Sequence, residues 1–172
     1  MKTASFTGHR PERLGGYDKA NPKNRLAIAF LRDAVARLKK EGYTSFISGG
    51  ALGTDQWAAE VVLEDQELEL VVAIPYKDYG SNWPPGRNTP GSREVLADLC
   101  SKAKKVHVVC EGSYAPHKNH ERNKWMADNS DTIVAVWDGG DKGGTASAIR
   151  NAKKQGKRII RYNPKTDSEE LV

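Results

Sequence analysis

The sequence predicts an α/β fold: one domain built on a doubly wound, mainly parallel sheet of about six strands with helices on both faces. Short apolar segments alternate along the chain with segments whose apolar residues recur at helical spacing. The segment 68–75 is apolar enough to be a strand covered on both faces, as in a parallel sheet. The length of 172 residues, with 38% apolar residues, suits a single core.

The first half of the chain contains three predicted strands and two predicted helices. The strands are expected at residues 4–7, 44–48 and 68–75. The first helix begins near Pro22, since proline suits a first helical turn, and ends at Gly42. The second helix runs from about Thr54 to Gln66.

The second half repeats the alternation after a long loop at 76–91 that is rich in glycine, proline and asparagine. The predicted elements are a helix at 92–103, a strand at 105–110, a helix at 117–129, a strand at 132–137, a helix at 144–155 and a strand at 158–162. The domain is expected to span 1–163, followed by a polar tail, 164–172, that frays.

Composition narrows the class of protein. The net charge of +5 comes from 27 basic and 22 acidic residues, which are interspersed along the chain. This charge mildly favours an anionic ligand and does not by itself indicate nucleic acid. No apolar run approaches the roughly 18 residues that span a bilayer. The two cysteines form no CxxC motif and no secretory leader precedes the first strand, so we expect free thiols in a cytoplasmic protein without a membrane partner.

Two glycine-rich turns, residues 48–55 and 138–145, each lie where a predicted strand gives way to a predicted helix. In an open α/β sheet such turns bring backbone amides and a helix N-terminus to the carboxyl edge of the strands, where phosphates bind. The alternative for the first turn is a tight capped connection, and for the second an exposed glycine-rich loop. The pair predicts a crevice with two anion-binding walls, without a P-loop or a GxGxxG motif.

Other residues are expected at the same edge. His9, Arg10 and Arg13 follow the first strand and are either ligand clamps or a solvated basic loop. Trp83 either closes over a base as a stacking lid or pins its loop to the body of the protein.

Arg122 shares a helical face with Trp125 and Met126, so we expect it to point toward the sheet. There it either forks onto a phosphate or forms a structural ion pair with Asp131 or Asp138. His117 and His120 lie three residues apart on the same predicted helix, but no third ligand is evident, so we expect no metal site. No cofactor is expected either.

The predicted ligand-binding residues combine these features. Asp55 carries the same charge as a phosphate, so a ribose hydroxyl is its better partner. The full set is Gly8, His9, Arg10, Ser48, Gly49, Gly50, Gly53, Thr54, Asp55, Trp83, Arg122, Asp138, Gly139, Gly143, Gly144 and Thr145.

Four motifs carry a resemblance to a known family. The segments 7–11 (TGHRP), 48–60 (SGGALGTDQWAAE), 122–131 and 135–145 resemble, in this order, the YpsA-like branch of the SLOG superfamily. The likeness covers about residues 2–162. It implies a Rossmann-like fold, a nucleotide-derived ligand and a homodimer, in a branch whose members largely lack an assigned reaction.

A more distant likeness concerns catalysis. The LOG-type phosphoribohydrolases, which cleave nucleoside monophosphates at the N-glycosidic bond, resemble the stretch around Arg122 and the second glycine-rich turn. Their catalytic arginine maps to Arg122, but their catalytic glutamate falls on Ala148, which cannot handle a proton. Hydrolysis therefore requires another carboxylate to substitute; the weak catalytic candidates are Arg122, Asp55, Glu60 and Glu121.

The DNA-processing DprA-like proteins resemble the segment 48–55 and suggest a third possibility, single-stranded DNA binding. Stacking on bases would fall to aromatic residues and phosphate contact to arginines of the same edge. The candidates are Tyr76, Tyr79, Trp83, Arg10, Arg13 and Arg87. The binding of a nucleotide or nucleotide-derived signal, as a sensor or carrier, remains the first hypothesis.

Overall fold

The computed structural model describes residues 1–83 and 92–172. Within these ranges the strands are β1 (Lys2–Gly8), β2 (Tyr43–Ser48), β3 (Glu69–Ile74), β4 (Lys105–Val108), β5 (Thr132–Val136), β6 (Arg158–Asn163) and β7 (Ser168–Glu170). The helices are α1 (Pro22–Lys40), α2 (Thr54–Leu63), α3 (Arg93–Lys102), α4 (Pro116–Asp128) and α5 (Gly144–Lys154), with a 3₁₀ turn at Pro11–Arg13.

The strands form one sheet in the order β4-β3-β2-β1-β5-β6-β7. All neighbouring strands are parallel except β6 and β7, which are antiparallel. The chain builds outward from β1 on one side and then returns to build outward from β5 on the other. The doubly wound fold is confirmed, and its switch point lies between β1 and β5, where ligands of such folds bind.

Helix starts follow the local signals in the sequence. The Asn21 side chain accepts a hydrogen bond from the Lys23 amide at 3.0 Å, and Pro22 occupies the first turn of α1. Ser92 caps α3 in the same way by accepting from the Val95 amide at 3.3 Å. Helices α1 and α3 therefore begin close to the residues at which the sequence pattern predicted them.

The core lies on both faces of the sheet. The larger cluster joins the sheet to α1, α2 and α3 and contains Phe6, Phe46 and Leu31, each at most 2% exposed. On the opposite face, α4 packs through Met126 and α5 through Ala152. Burial on both faces keeps the central strands rigid, and with them the loops at their carboxyl ends.

The seventh strand lies in the segment for which composition suggested a fraying tail. β7 pairs with β6, and it is tied by ion pairs: Arg161 to Glu170 at 3.3 Å and Arg37 to Glu169 at 2.6 Å. Its residues are polar and largely exposed, so no apolar alternation signals a strand. The domain boundary at 163 stays a prediction.

The long loop at 76–91 is described as far as Trp83, and Arg87 lies outside the described residues. In the described part, Tyr79 packs edge-to-face on Tyr76 and on Trp83, with ring centroids 5.5 and 5.0 Å apart. The aromatic residues of this loop therefore contact one another.

Among the described residues, no helix combines the length and apolar character needed to cross a membrane.

Candidate functional site

A cleft of about 440 Å³ opens at the carboxyl edge of the sheet, at the switch point between β1 and β5. Four segments line it: the end of β1 with the loop after it, the first glycine-rich turn, α4 and the second glycine-rich turn. The lining residues are Phe6, Thr7, Gly8, His9, Arg10, Glu12, Arg13, Ala51, Asp55, Pro116, Asn119, His120, Arg122, Asn123, Lys142, Gly143, Gly144 and Thr145. The sheet thus brings together residues from both predicted walls.

The polar groups of the first glycine-rich turn mostly hold the turn itself together. The buried Ser48 hydroxyl donates to the Asp55 carbonyl at 2.7 Å and accepts from the Gly50 amide at 3.2 Å. The buried Thr54 hydroxyl donates to the His9 carbonyl at 2.9 Å, which joins α2 to the loop after β1. Of this turn, Ala51 and Asp55 reach the cleft.

Packing between the first glycine-rich turn and the end of β1 explains why glycine is needed at Gly53 and at Gly8. Gly53 has a φ of +85°, and a Cβ there would lie 2.9 Å from the His9 carbonyl oxygen. A Cβ on Gly8 would lie 2.5 Å from the Thr54 side chain. The close approach is therefore between two segments of the chain. A direct ligand contact by Gly50, Gly53 or Ser48 stays a prediction.

The second glycine-rich turn presents its backbone to the cleft. Lys142, Gly143, Gly144 and Thr145 all line it. Helix α5 begins at Gly144, its N-cap Gly143 has a φ of +96°, and no side chain of the described residues caps its first amides. Uncapped amides at a helix N-terminus, beside the Lys142 ammonium, form a site that favours an anion.

Arg122 is buried, with 3% of its surface exposed, and it points toward the sheet as its spacing predicted. Its partners are different from those considered from sequence. Nη1 donates to the carbonyl oxygens of Gly49 at 2.5 Å and Ala73 at 3.3 Å, and Nε donates to the Asn123 side chain at 2.8 Å. The guanidinium therefore ties α4 to β3 and to the first glycine-rich turn while it lines the cleft.

Neither carboxylate considered as a partner for Arg122 takes that role. Asp131 accepts from the Thr3 amide at 2.9 Å, and Asp138 interacts with His9 and Arg13. The structural ion pair considered for Arg122 is thus absent among the described residues.

Asp55 lies at the cleft wall with 8% of its surface exposed. Burial raises the pKa of its carboxyl above the usual 3.8, although the charge of Arg122 and the Ala51 amide act in the opposite direction. An acid in such surroundings favours a ligand group that donates a hydrogen bond to it.

His9 and Asp138 join the two loops that flank the switch point. The Asp138 amide donates to His9 Nε2 at 3.1 Å, which requires a neutral imidazole, and burial lowers the pKa of His9 below 6.5. The same nitrogen lies 3.2 Å from Asp138 Oδ1, but a nitrogen that accepts from the amide has no proton for the carboxylate. We therefore assign the amide hydrogen bond.

The Asp138 carboxylate is strongly anchored. Burial would raise the pKa of this carboxyl, but the Gly140 amide and the charge of Arg13 act in the opposite direction, and the pKa lies below the usual 3.8. Arg13 Nη2 lies 3.0 Å from Asp138 Oδ2, and Lys165 adds a further contact at 3.7 Å. Asp138 thus holds Arg13, which itself lines the cleft.

Several predicted site residues lie outside the cleft lining. Trp83 packs on Tyr79 and on the main core, and Gly139 faces the Arg161 guanidinium. Glu60 pairs with Lys19 at 2.5 Å, and Glu121 accepts from Cys110 at 3.9 Å on the exposed side of α4. Ligand contact by Trp83 and Gly139 and a catalytic role for Glu60 and Glu121 stay predictions.

Sequence reasoning missed one wall of the cleft, a polar stripe on α4. Its residues recur at positions i, i+3, i+4 and i+7 and so share one helical face. They are the polar residues Asn119, His120 and Asn123, together with Pro116 at the start of the helix. This periodicity of polar residues was the signal that would have identified them.

The described residues contain no group of three or more histidines, cysteines, aspartates or glutamates placed to hold a metal ion.

The fold and the cleft define a class: Rossmann-like α/β proteins with a cleft at the switch point of the sheet, the place where ligands of such folds bind. The model of the YspA SLOG family matches residues 4–166, and the chain belongs to that family. Among its relatives are UPF0398 proteins of Bacillus cereus strains B4264 and ATCC 14579 and of Bacillus thuringiensis strain Al Hakam. Each is 29% identical over 161 residues, which cover 91% of this chain and 85% of the relative.

Proposed function

We propose that the cleft binds a nucleotide or a nucleotide-derived signalling ligand, with its phosphate against the second glycine-rich turn. The observation that carries this proposal is the uncapped N-terminus of α5 lining the cleft together with Lys142. SLOG family membership supports a nucleotide-related function.

The cationic side chains of the loop after β1 also favour an anion. Arg10 and Arg13 line the cleft from the loop after β1, and Arg13 is held in place by Asp138. Arginine in a fixed orientation suits a phosphate because its guanidinium donates two parallel hydrogen bonds. In this proposal Arg122 supports the cleft wall and contributes its positive charge.

Isothermal titration calorimetry tests the proposal with mono-, di- and cyclic nucleotides and with ADP-ribose. We expect at least one to bind, and Lys142→Glu to weaken that binding about 10-fold or more at low salt, because it places a like charge beside the phosphate. Lys105→Glu on β4 is the matched control, since it makes the same charge change outside the cleft. No binding by the wild type, or equal losses in the two variants, contradicts the proposal.

N-glycosidic hydrolysis is a second candidate because one observation favours it. Of the three carboxylates considered as substitutes for the missing glutamate, Asp55 lines the cleft, whereas Glu60 and Glu121 do not. Ala148 lies beside a separate small cavity. Incubation with nucleoside monophosphates decides between the two functions, because hydrolysis releases free base and binding alone does not.

Single-stranded DNA binding, the homodimer and the cytoplasmic location stay predictions. Salt-dependent oligonucleotide binding tests the first. Light scattering of the purified protein tests the second.

A further inference from the structure

Two buried groups of opposite charge that line the cleft, Asp55 and Arg122, both lie close to Gly49. A Cβ built on Gly49 would lie 2.7 Å from Asp55 Oδ2 and 2.8 Å from Arg122 Nη1. Both side chains are more than nine-tenths buried and both line the cleft. The absence of a side chain at Gly49 is therefore what allows the carboxylate and the guanidinium to approach each other.

The two groups nevertheless do not form an ion pair with each other. Arg122 Nη1 is directed to the Gly49 and Ala73 carbonyl oxygens, and Nε to Asn123. The influence of Arg122 on Asp55 is through its positive charge. A buried carboxylate and a buried guanidinium are thus adjacent without direct contact.

Both groups also retain unused hydrogen-bonding capacity. A carboxylate has about four acceptor positions, and the one N–H of Ala51 can satisfy at most one of them. Arg122 Nη2 donates no hydrogen bond within residues 1–83 and 92–172. Both side chains line the cleft, so these positions are within reach of a ligand that enters it.

The opposite charges of Asp55 and Arg122 restrict which chemical group of a ligand can bind between them. A phosphate would meet the like charge of Asp55, and an ammonium would meet the like charge of Arg122. A hydroxyl suits both groups, because its oxygen accepts from the guanidinium while its proton is donated to the carboxylate. Apolar groups would leave both charges unsatisfied.

We infer that Asp55 and Arg122 together bind a sugar hydroxyl of the ligand, so that the cleft selects ribonucleotides over deoxyribonucleotides. This inference rests on the proposed function, which places the phosphate at the second glycine-rich turn. The cleft then has two chemically distinct ends: one of backbone amides and Lys142 for phosphate, and one of Asp55 and Arg122 for a hydroxyl.

The test compares AMP and ADP with their 2′-deoxy and 3′-deoxy counterparts by calorimetry. For the wild type we expect one of the two deoxy series to bind about 10- to 100-fold more weakly than the ribonucleotide, because the buried pair is left unsatisfied. Asp55→Ala should remove this discrimination by weakening ribonucleotide binding to the level of that deoxy series. Asp55→Asn, which preserves side-chain size, guards against a folding defect and should reduce the discrimination.

Two control variants separate this inference from the proposed function. Glu60→Gln changes a carboxylate of the same helix outside the cleft and should keep the discrimination. Lys142→Glu should weaken all nucleotides alike and also keep it. Equal binding of ribo- and deoxyribonucleotides by the wild type, or discrimination that survives in Asp55→Ala, overturns the inference and leaves the proposed function standing. Failure of every nucleotide to bind overturns both.

Discussion

At the scale of single residues, Gly49 makes room for two side chains that line the cleft, Asp55 and Arg122. Its carbonyl oxygen accepts from Arg122 Nη1 at 2.5 Å, and the space of its missing side chain is bordered by Asp55 and Arg122. The residue thus serves the contact between β2, α2 and α4. Glycine is needed at this position because of close packing. Its backbone conformation does not require glycine, since its φ is outside the left-handed region.

We predict that Gly49→Ala destabilises the protein by about 1–3 kcal/mol, since the added methyl overpacks a buried polar contact. Gly144→Ala is the matched control: its Cβ would lie 3.8 Å from the nearest atom, Asn123 Nδ2, which is ordinary contact. Urea denaturation of both variants measures the difference. Equal stability of the two variants would show that the wall at Gly49 relaxes without cost.

At the scale of elements, the loop after β1 and the second glycine-rich turn are held together by His9 and Asp138. The His9 amide donates to the Val136 carbonyl at 3.1 Å, and the His9 ring accepts from the Asp138 amide at 3.1 Å. Asp138 in turn orients Arg13. Two loops that are separated by more than a hundred residues therefore form one side of the cleft.

The contact between His9 and Asp138 makes the free energy of unfolding depend on pH. Burial lowers the pKa of His9 in the folded protein below its ordinary value of 6.5. The unfolded chain therefore binds the proton more readily, and the free energy of unfolding falls as the pH drops below about 6.5. The pKa of the Asp138 carboxyl, which the Gly140 amide and Arg13 hold below its usual 3.8, adds a second loss at still lower pH. Thermal denaturation of His9→Gln between about pH 7 and 5 should show a flatter pH dependence than that of the wild type. Parallel curves would contradict this assignment.

At the scale of the whole molecule, the sheet is extended by a strand whose contacts reach the site. β7 covers the outer edge of β6, and the segment before it brings Lys165 to within 3.7 Å of Asp138. Arg161 of β6 donates to the Trp137 carbonyl at 2.9 Å, stacks over the Trp137 ring, and pairs with Glu170. The C-terminal segment thus supports the second glycine-rich turn from behind.

A chain that ends at Asn163 should be less stable by about 1–2 kcal/mol, or about 2–8 °C in Tm, because it loses the β6–β7 hydrogen bonds and these ion pairs. Removal of Leu171 and Val172 alone is the control, since both are exposed. Calorimetry measures both chains. An unchanged Tm for the shorter chain would mean that β7 adds nothing to stability.

Much of the architecture was predictable because burial imposes a period on the sequence. The six strands and five helices expected from apolar spacing are present, and α2 ends at Leu63, slightly before its predicted end. β7 was not predicted, since an edge strand held by Arg161 and Glu170 needs no apolar alternation. The orientation of Arg122 followed from its helical spacing, but its carbonyl partners belong to segments distant in sequence.

The sequence by itself determined the order of strands and helices, the positions of both glycine-rich turns and the face on which Arg122 lies, because each depends on residues close together in the chain. Tertiary structure alone decided how the turns differ: in the first, the Thr54 amide and hydroxyl both donate to the His9 carbonyl, whereas the second lines the cleft with the N-terminus of α5. It also brought Asp55 and Arg122 to Gly49. The physical reason is that a buried polar group takes whichever partner the folded chain brings within reach, and sequence spacing does not record that distance.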